Sequence, residues 1–340
     1  MVMDDRIVSP NPQDEDSVES ALRPHSLQDY IGQDKIKEQI AILLEAAKQR
    51  QESLDHILLY GPPGLGKTSM AMILASEMHA GMRITSGPAI EHSGDLASIL
   101  TTLEANDILF IDEIHRLNKA IEERLYSAME DFSLDLMIGK GPSARSVRLS
   151  LPHFTIAGAT TRLGALSAPL RDRFGAIYRL DYYDTAAIQE IIHRAARILR
   201  VTIVESGSEE IARRSRGVPR IANRLLRRVR DYAQVRADGV VSQTVAKTAL
   251  DALDIDELGL DMLDRRYLLN LLTKFHGGPV GMETLAAALS ESADTLEDVI
   301  EPFLLHLGFI ARTARGRVAT RLAYTHMGIE PNADQNGLWS

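Results

Sequence analysis

Residues 61–68 read Gly61-Pro62-Pro63-Gly64-Leu65-Gly66-Lys67-Thr68. The stretch fits G-x-x-x-x-G-K-[ST], a loop whose backbone N–H groups cradle nucleotide phosphates. Its three glycines let the backbone turn sharply and approach a phosphate with no Cβ in the way. Lys67 brings positive charge to the β/γ-phosphates, and the Thr68 hydroxyl is a ligand for Mg²⁺. The apolar run at 56–60 reads as a buried strand and residues 67–79 as a helix, so the phosphates would sit at a helix N-terminus. An ordinary Gly-rich turn is the competing reading, and the strand-loop-helix context weighs against it. Gly64, Leu65, Gly66, Lys67, Thr68 and Ser69 are the expected phosphate-binding set, with ATP as the nucleotide.

Outward from the loop, residues 23–181 alternate short β-branched runs with helical patterns. Strands are expected at 56–60, 82–85, 107–112, 153–159 and 177–181, with helices at 33–49, 67–79, 95–105 and 118–130. Such alternation implies a parallel sheet covered by helices, with the nucleotide at the carboxyl ends of the strands. Residues 133–138 and 146–151 interrupt it as two alternating apolar/polar runs around Gly139-Lys140-Gly141-Pro142-Ser143, a projecting β-hairpin. This hairpin is either a partner-docking arm or a surface decoration. From 184 to 253 the strand signal disappears, and helices are expected at 185–199, 208–215, 218–236 and 242–253. Residues 262–275, 281–289 and 292–306 then read as three helices, and 308–322 as two strands around Ala314-Arg315-Gly316-Arg317. Three helices and a basic hairpin outline a winged helix-turn-helix. The expected fold is α/β: a P-loop domain with a parallel sheet at 21–182, a small helical lid at 183–255 and a winged-helix domain at 256–330. A mobile arm at 1–20 and a tail at 331–340 flank them.

Composition narrows the class. The 340 residues contain no cysteine, which removes disulfides, thiol nucleophiles and Cys-type zinc sites. No apolar run is long enough to span a membrane, and the acidic, polar N-terminus lacks the apolar core of a signal peptide. A cytoplasmic protein is the simplest expectation. The net charge of −9 argues against a uniformly basic nucleic-acid binder, while leaving room for a local basic surface.

The chemistry gathers at strand ends. Ile108-Leu109-Phe110-Ile111-Asp112-Glu113 is an apolar strand ending in two acids. Asp112 is placed to hold Mg²⁺ opposite the phosphate loop, and Glu113 to orient and deprotonate the attacking water. His115 reads as a positional residue. Thr155-Ile156-Ala157-Gly158-Ala159-Thr160-Thr161 ends in two hydroxyls, of which Thr161 is favoured beside the γ-phosphate. Within Leu170-Arg171-Asp172-Arg173-Phe174, Arg173 is the candidate arginine finger, reaching a neighbouring subunit's γ-phosphate with its fork of donors. The alternative is a surface ion pair between Asp172 and a neighbouring arginine, worth about 0–1 kcal/mol. Arg220, in Gly217-Val218-Pro219-Arg220, lies at the start of a long helix and is placed to report the nucleotide state. Eight arginines fall between 213 and 230, and a solvated helix face accounts for most. Arg312, Arg315, Arg317 and Arg321 surround the terminal turn, where a wing would track the phosphate backbone of duplex DNA without reading sequence. A protein-interaction module is the alternative there.

Together these motifs, with Leu22-Arg23-Pro24, Tyr30-Ile31-Gly32-Gln33 and Asp112-Glu113-Ile114-His115-Arg116-Leu117, resemble the RuvB family of bacterial Holliday-junction branch-migration motors, of the AAA+ ATPase class. The resemblance runs from about 22 to 328. It implies an ATP-driven homohexameric ring that moves duplex DNA. It implies a junction-gripping partner, RuvA, docked on the hairpin at about 132–151, and the resolvase RuvC in the same assembly. It further implies that Leu22, Arg23, Tyr30, Ile31 and Tyr183 line the adenine pocket and that Arg220 is the second nucleotide sensor. Other DNA-associated AAA+ machines, such as a clamp loader or replication initiator, remain rivals, as does an ATP-switched transcriptional regulator. The absence of cysteine speaks against a clamp loader's zinc module, and Glu113 with Arg173 against a pure switch.

Overall fold

The computed structural model describes residues 19–138 and 145–330. Most of the arm at 1–20, the hairpin turn and the tail at 331–340 therefore lie outside the described residues, although 19–22 are helical. The chain divides into two compact units. The first runs to Gly61 and resumes over Leu65–Asp181; the second holds Pro62–Gly64 and continues from Tyr182.

The first unit is built on a five-stranded sheet. Its strands are β1 (Ile57–Tyr60), β2 (Met82–Ser86), β3 (Ile108–Asp112), β6 (Thr155–Thr160) and β7 (Ala176–Arg179), in the order β2-β3-β6-β1-β7. All four pairings are parallel. Ile108, Leu109, Phe110 and Ile111 are all buried, because a parallel strand covered on both faces has no polar side to alternate with. Helices α1 (Asp34–Arg50) and α2 (Lys67–Met78) contribute Ile40, Leu44, Met70 and Ile73 to the interior. Helices α3 (Ser93–Leu100), α4 (Lys119–Asp131) and the short α5 (Ala168–Arg171) enclose a core of Leu96, Leu100, Leu125, Leu170 and Phe174 against Leu58, Ile111 and Ile156. The helix expected at 95–105 is shorter and begins earlier. The Thr101 and Thr102 hydroxyls donate to the Ala97 and Ile99 carbonyls at 2.8 Å each, and such back-bonding competes with the helical ladder. The interrupting hairpin is present as antiparallel β4 (Ser133–Ile138) and β5 (Arg145–Ser150).

The second unit opens with helices α6 (Thr185–Leu199), α7 (Glu205–Arg214), α8 (Pro219–Arg236) and α9 (Gln243–Ala252). The expectation of no strands here is corrected. Two-residue β8 (Thr202–Ile203) and β9 (Val240–Val241) pair in parallel, too short to show a period of two. The chain continues with α10 (Met262–Leu269), α11 (Met282–Leu289) and a helix from 293 to 306, then β10 (Ile310–Thr313) and β11 (Gly316–Ala319) as an antiparallel hairpin. This is a winged helix. Its third helix is not regular: a π turn at Leu296–Ile300 precedes Glu301–His306. Pro302 lacks the N–H that an α-helical ladder needs, and the wider turn accommodates the loss. A final helix, α14 (Arg321–Met327; α12 and α13 being Ala293–Thr295 and Glu301–His306), was not anticipated.

Candidate nucleotide site and basic wing

The carboxyl edge of the first unit's sheet collects the expected groups. β6 lies between β3 and β1, and Tyr60 pairs with Thr160 in register. The ends carrying Asp112, Thr160 and Gly61 therefore emerge side by side. Gly61 has φ 141°, and a Cβ there would lie 2.3 Å from the Leu180 carbonyl oxygen. Gly66 has φ 101°, and its Cβ would meet the Tyr30 hydroxyl at 2.7 Å. Only glycine fits either position without strain. Lys67 opens α2, and its buried Nζ donates to the Gly61 carbonyl at 2.7 Å. Thr68 and Ser69 follow in the first helical turn, where N–H groups lack intrahelical partners.

Asp112 ends β3, and its Oδ1 accepts the Glu113 N–H at 2.9 Å. Glu113 adopts φ 48°, which turns its side chain away from the strand's alternation. There it pairs with Arg116 at 3.0 Å, both side chains about half exposed. An exposed pair of this kind is worth about 0–1 kcal/mol, so it restrains Glu113 only weakly. Thr160 is buried and its hydroxyl is engaged by His115 Nδ1 at 3.0 Å and by the Arg162 N–H at 3.0 Å. Thr161, one residue on, is partly exposed. Thr68 and Asp112 offer a hydroxyl and a carboxylate, and no cluster of three or more metal-ligating acids or histidines occurs among the described residues. A sparse set of hard oxygens suits Mg²⁺, which keeps waters and substrate phosphates as its other ligands.

Of the expected adenine-pocket residues, Leu22 and Tyr30 are buried. The Tyr30 hydroxyl donates to the Leu65 carbonyl at 3.3 Å, and Arg23 contacts the Met72 sulfur at 3.4 Å. Ile31 is partly buried. In the second unit Tyr183 is buried, with its N–H on the Gly217 carbonyl at 2.9 Å. Arg220 occupies the first turn of α8, and its N–H points to the Gly64 carbonyl at 3.4 Å. Asp172 forms its exposed ion pair with neighbouring Arg171 at 4.0 Å, and Arg173 is held elsewhere. Its guanidinium stacks over the Tyr126 ring, 4.3 Å from the centroid, donates to the Tyr126 hydroxyl and meets Glu130 at 2.7 Å. Sequence reasoning missed Tyr126 and Glu130, whose signal was their i, i+4 spacing on one helix face.

The arginines of the second unit fall in different environments. Arg214 is fully buried against Glu210 at 2.7 Å and Asp251 at 2.6 Å. Arg216 meets Asp264 at 2.5 Å and Asp261 at 3.0 Å. Neither lies on the solvated face expected for most of the eight. The wing is also revised. Arg317 is turned inward onto Glu301 and Glu297 at 2.8 Å each, its side chain only 15% exposed. Arg312 pairs with the same Glu301 at 2.6 Å, and the Tyr267 hydroxyl donates to Glu301 at 2.8 Å. Glu301 is completely buried, so its charge requires these partners. Arg315 at the turn and Arg321 after it are exposed, and Arg312 is about half exposed while paired with Glu301.

A phosphate loop followed by an acid-ended strand, with a hydroxyl-ended strand between them, defines a P-loop ATPase domain of the AAA+ class, here joined to a winged helix. Three family models match in succession: the Holliday junction DNA helicase RuvB P-loop domain over 22–180, the RuvB AAA lid domain over 183–256 and the RuvB C-terminal winged helix domain over 257–328. The chain belongs to the RuvB family. It is 62% identical over 326 residues to the Holliday junction branch migration complex subunit RuvB of Chloroflexus aurantiacus, covering 96% of this chain and 93% of that one. Identity to the same subunit of Dehalococcoides mccartyi is 59% over 330 residues, covering 96% and 95%. The solved Thermotoga maritima RuvB Holliday junction branch migration motor superposes with a TM-score of 0.84 at 50% identity, covering 91% of this chain and 99% of that one.

Proposed function

We propose that this chain is the ATP-driven motor subunit that migrates Holliday junctions during recombination and repair, acting as a homohexameric ring on duplex DNA in the cytoplasm. The observation that carries this is the single sheet edge holding 61–68, Asp112-Glu113 and Thr160-Thr161, in a chain that ends in a winged helix. The N–H groups of 64–69 and Lys67 hold the phosphates of ATP. Leu22, Arg23, Tyr30, Ile31 and Tyr183 enclose the adenine. Thr68 and Asp112 hold Mg²⁺, which when bound offsets phosphate charge. Glu113 takes a proton from water as its oxygen bonds to the γ-phosphorus and ADP leaves. Thr161 orients that water, and His115 fixes the neighbouring Thr160. Arg173 of an adjacent subunit offsets the charge that builds on the γ-phosphate. Arg220 reports the nucleotide to the lid, taken as 183–255, and thence to the winged helix at 256–330. The hairpin at about 132–151 docks RuvA, and RuvC acts in the same assembly. Apolar Val147 and Leu149 on the hairpin are exposed, which supports a docking role.

The test is ATP-dependent dissociation of a synthetic four-way junction, with and without RuvA. Wild type should move the junction. Glu113→Gln should still bind ATP but lose about 10²–10⁴ in turnover and leave the junction intact. ATP hydrolysis by wild type with no junction movement in either condition would sink the branch-migration reading.

A further inference from the structure

We propose that Tyr126 and Glu130 are positioning residues for Arg173, together tethering one end of its guanidinium so that the other end meets the neighbouring subunit's ATP ready-oriented. The inference rests on the reading of Arg173 as the arginine that acts across the subunit boundary.

The backbone at Arg173 is already fixed. The four-residue α5 is capped by the Ser167 hydroxyl, which accepts the Leu170 N–H, and the chain stays wound through Arg173 N–H to Leu170 O at 3.2 Å. Buried Leu170 and Phe174 anchor it on both sides. The side chain would otherwise sweep many rotamers. Instead, Tyr126 and Glu130, four residues apart on α4, hold it from one side. The Tyr126 ring lies beneath the guanidinium, and Nη2 serves both the Tyr126 hydroxyl and the Glu130 carboxylate. The hydrogen bond that Arg173 donates to Tyr126 is also the chief influence raising the arginine's pKa.

The tether leaves donors over. A guanidinium has five N–H groups in a rigid fork. Nη1 makes no hydrogen bond among the described residues, and the side chain is still 32% exposed. An incoming phosphate oxygen can therefore be met without breaking the contacts at Nη2. This separates positioning from sequestration, in which Glu130 would have to be displaced first. Restricting the fork before the transition state forms removes an ordering cost from the chemical step.

The experiment uses the full-length chain assembled on duplex DNA with ATP and Mg²⁺. Tyr126→Phe and Glu130→Gln should each lower kcat about 10-fold, within the range that small misplacements of a catalytic group produce, while KM for ATP changes little. Arg173→Ala should be slower still. The decisive reading is the double variant: Glu130→Gln with Arg173→Ala should turn over as slowly as Arg173→Ala alone, because contacting residues with one shared role are not additive. Thermal melting and DNA-dependent assembly should match wild type for Tyr126→Phe, which keeps the ring and loses only the hydroxyl. A kcat that rises or stays level in Glu130→Gln overturns the proposal, as does full additivity in the double variant. Near-normal turnover of assembled Arg173→Ala would instead overturn the role of Arg173 itself, and with it anything to position.

Discussion

Arg315 and Arg317 stand two residues apart on the wing and do different work. Arg315 is exposed at the turn, whereas Arg317 is spent on Glu301 and Glu297. Arg315→Ala should flatten the slope of log affinity for DNA against log salt by about one unit and leave unfolding untouched. Arg317→Ala should leave Glu301 buried with its charge half-compensated, a change that typically costs about 3–5 kcal/mol, visible in urea unfolding. If both substitutions gave the same loss of salt slope and neither lowered stability, this division would be wrong. The alternation of a strand places residues on faces, but it does not say that a buried glutamate 16 residues earlier waits to claim one of them. Lys67 was legible for the opposite reason: its Nζ bonds to Gly61, six residues earlier in the same loop. Thr160 falls between these cases. Its hydroxyl is taken by His115, a partner 45 residues distant that no local pattern announces.

At the scale of elements, long amphipathic helices and the fully apolar β3 were readable, and their ends were less so. Helix α3 stops where threonines bond backward, and the third winged-helix element widens ahead of Pro302. β8 and β9 are held by their tertiary surroundings rather than by any alternation of their own. The joint between α8's flank and α10 carries a pH consequence. Burial raises the Asp264 carboxyl to about 7, against the pull of Arg216, with Asp261 adding to the rise. Its Oδ1 is buried without a hydrogen-bond partner among the described residues, which disfavours the ionised form. Between the ordinary value near 3.8 and about 7, the folded state binds more protons than the unfolded. Stability from this group is therefore present at low pH and falls as pH rises through that window. Asp264→Asn should remove that component and flatten stability against pH in chemical denaturation. An unchanged profile would show that Asp264 is ionised in the fold. His56 acts in the other direction in the first unit. Burial is the main cause lowering its pKa, and it accepts the Ile156 N–H at 2.9 Å and contacts the Met129 carbonyl at 3.2 Å, so its contribution is lost as pH falls below about 6.5.

For the whole molecule, the proposed placement of Arg173 opposite a neighbour's ATP would make one subunit an incomplete enzyme. Lys67→Ala retains the arginine but loses its own site, and Arg173→Ala retains the site but lacks the arginine. Each alone should be nearly inactive, and mixing them on DNA should restore part of the ATPase activity. Strict additivity of two inactive populations would mean that Arg173 acts within its own chain. Unit composition was legible from motif order, since the phosphate loop and the acid-ended strand mark one fold and the basic hairpin another. Which residues hold Arg173 was not, because Tyr126 and Glu130 look like any exposed helix face until Arg173 is seen resting on them.

Glu301 has a mechanical meaning as well. It grips Arg312 on one strand of the wing and Arg317 on the other, so both legs of the hairpin are bolted to the helix Glu301–His306 behind them. The rungs of an antiparallel ladder lie across the strands, and a tug along the legs loads them together rather than one at a time. With Arg315 as the proposed contact to a DNA phosphate, drag at the turn would reach the helix Glu301–His306 as thrust, with little slack to be taken up in the wing.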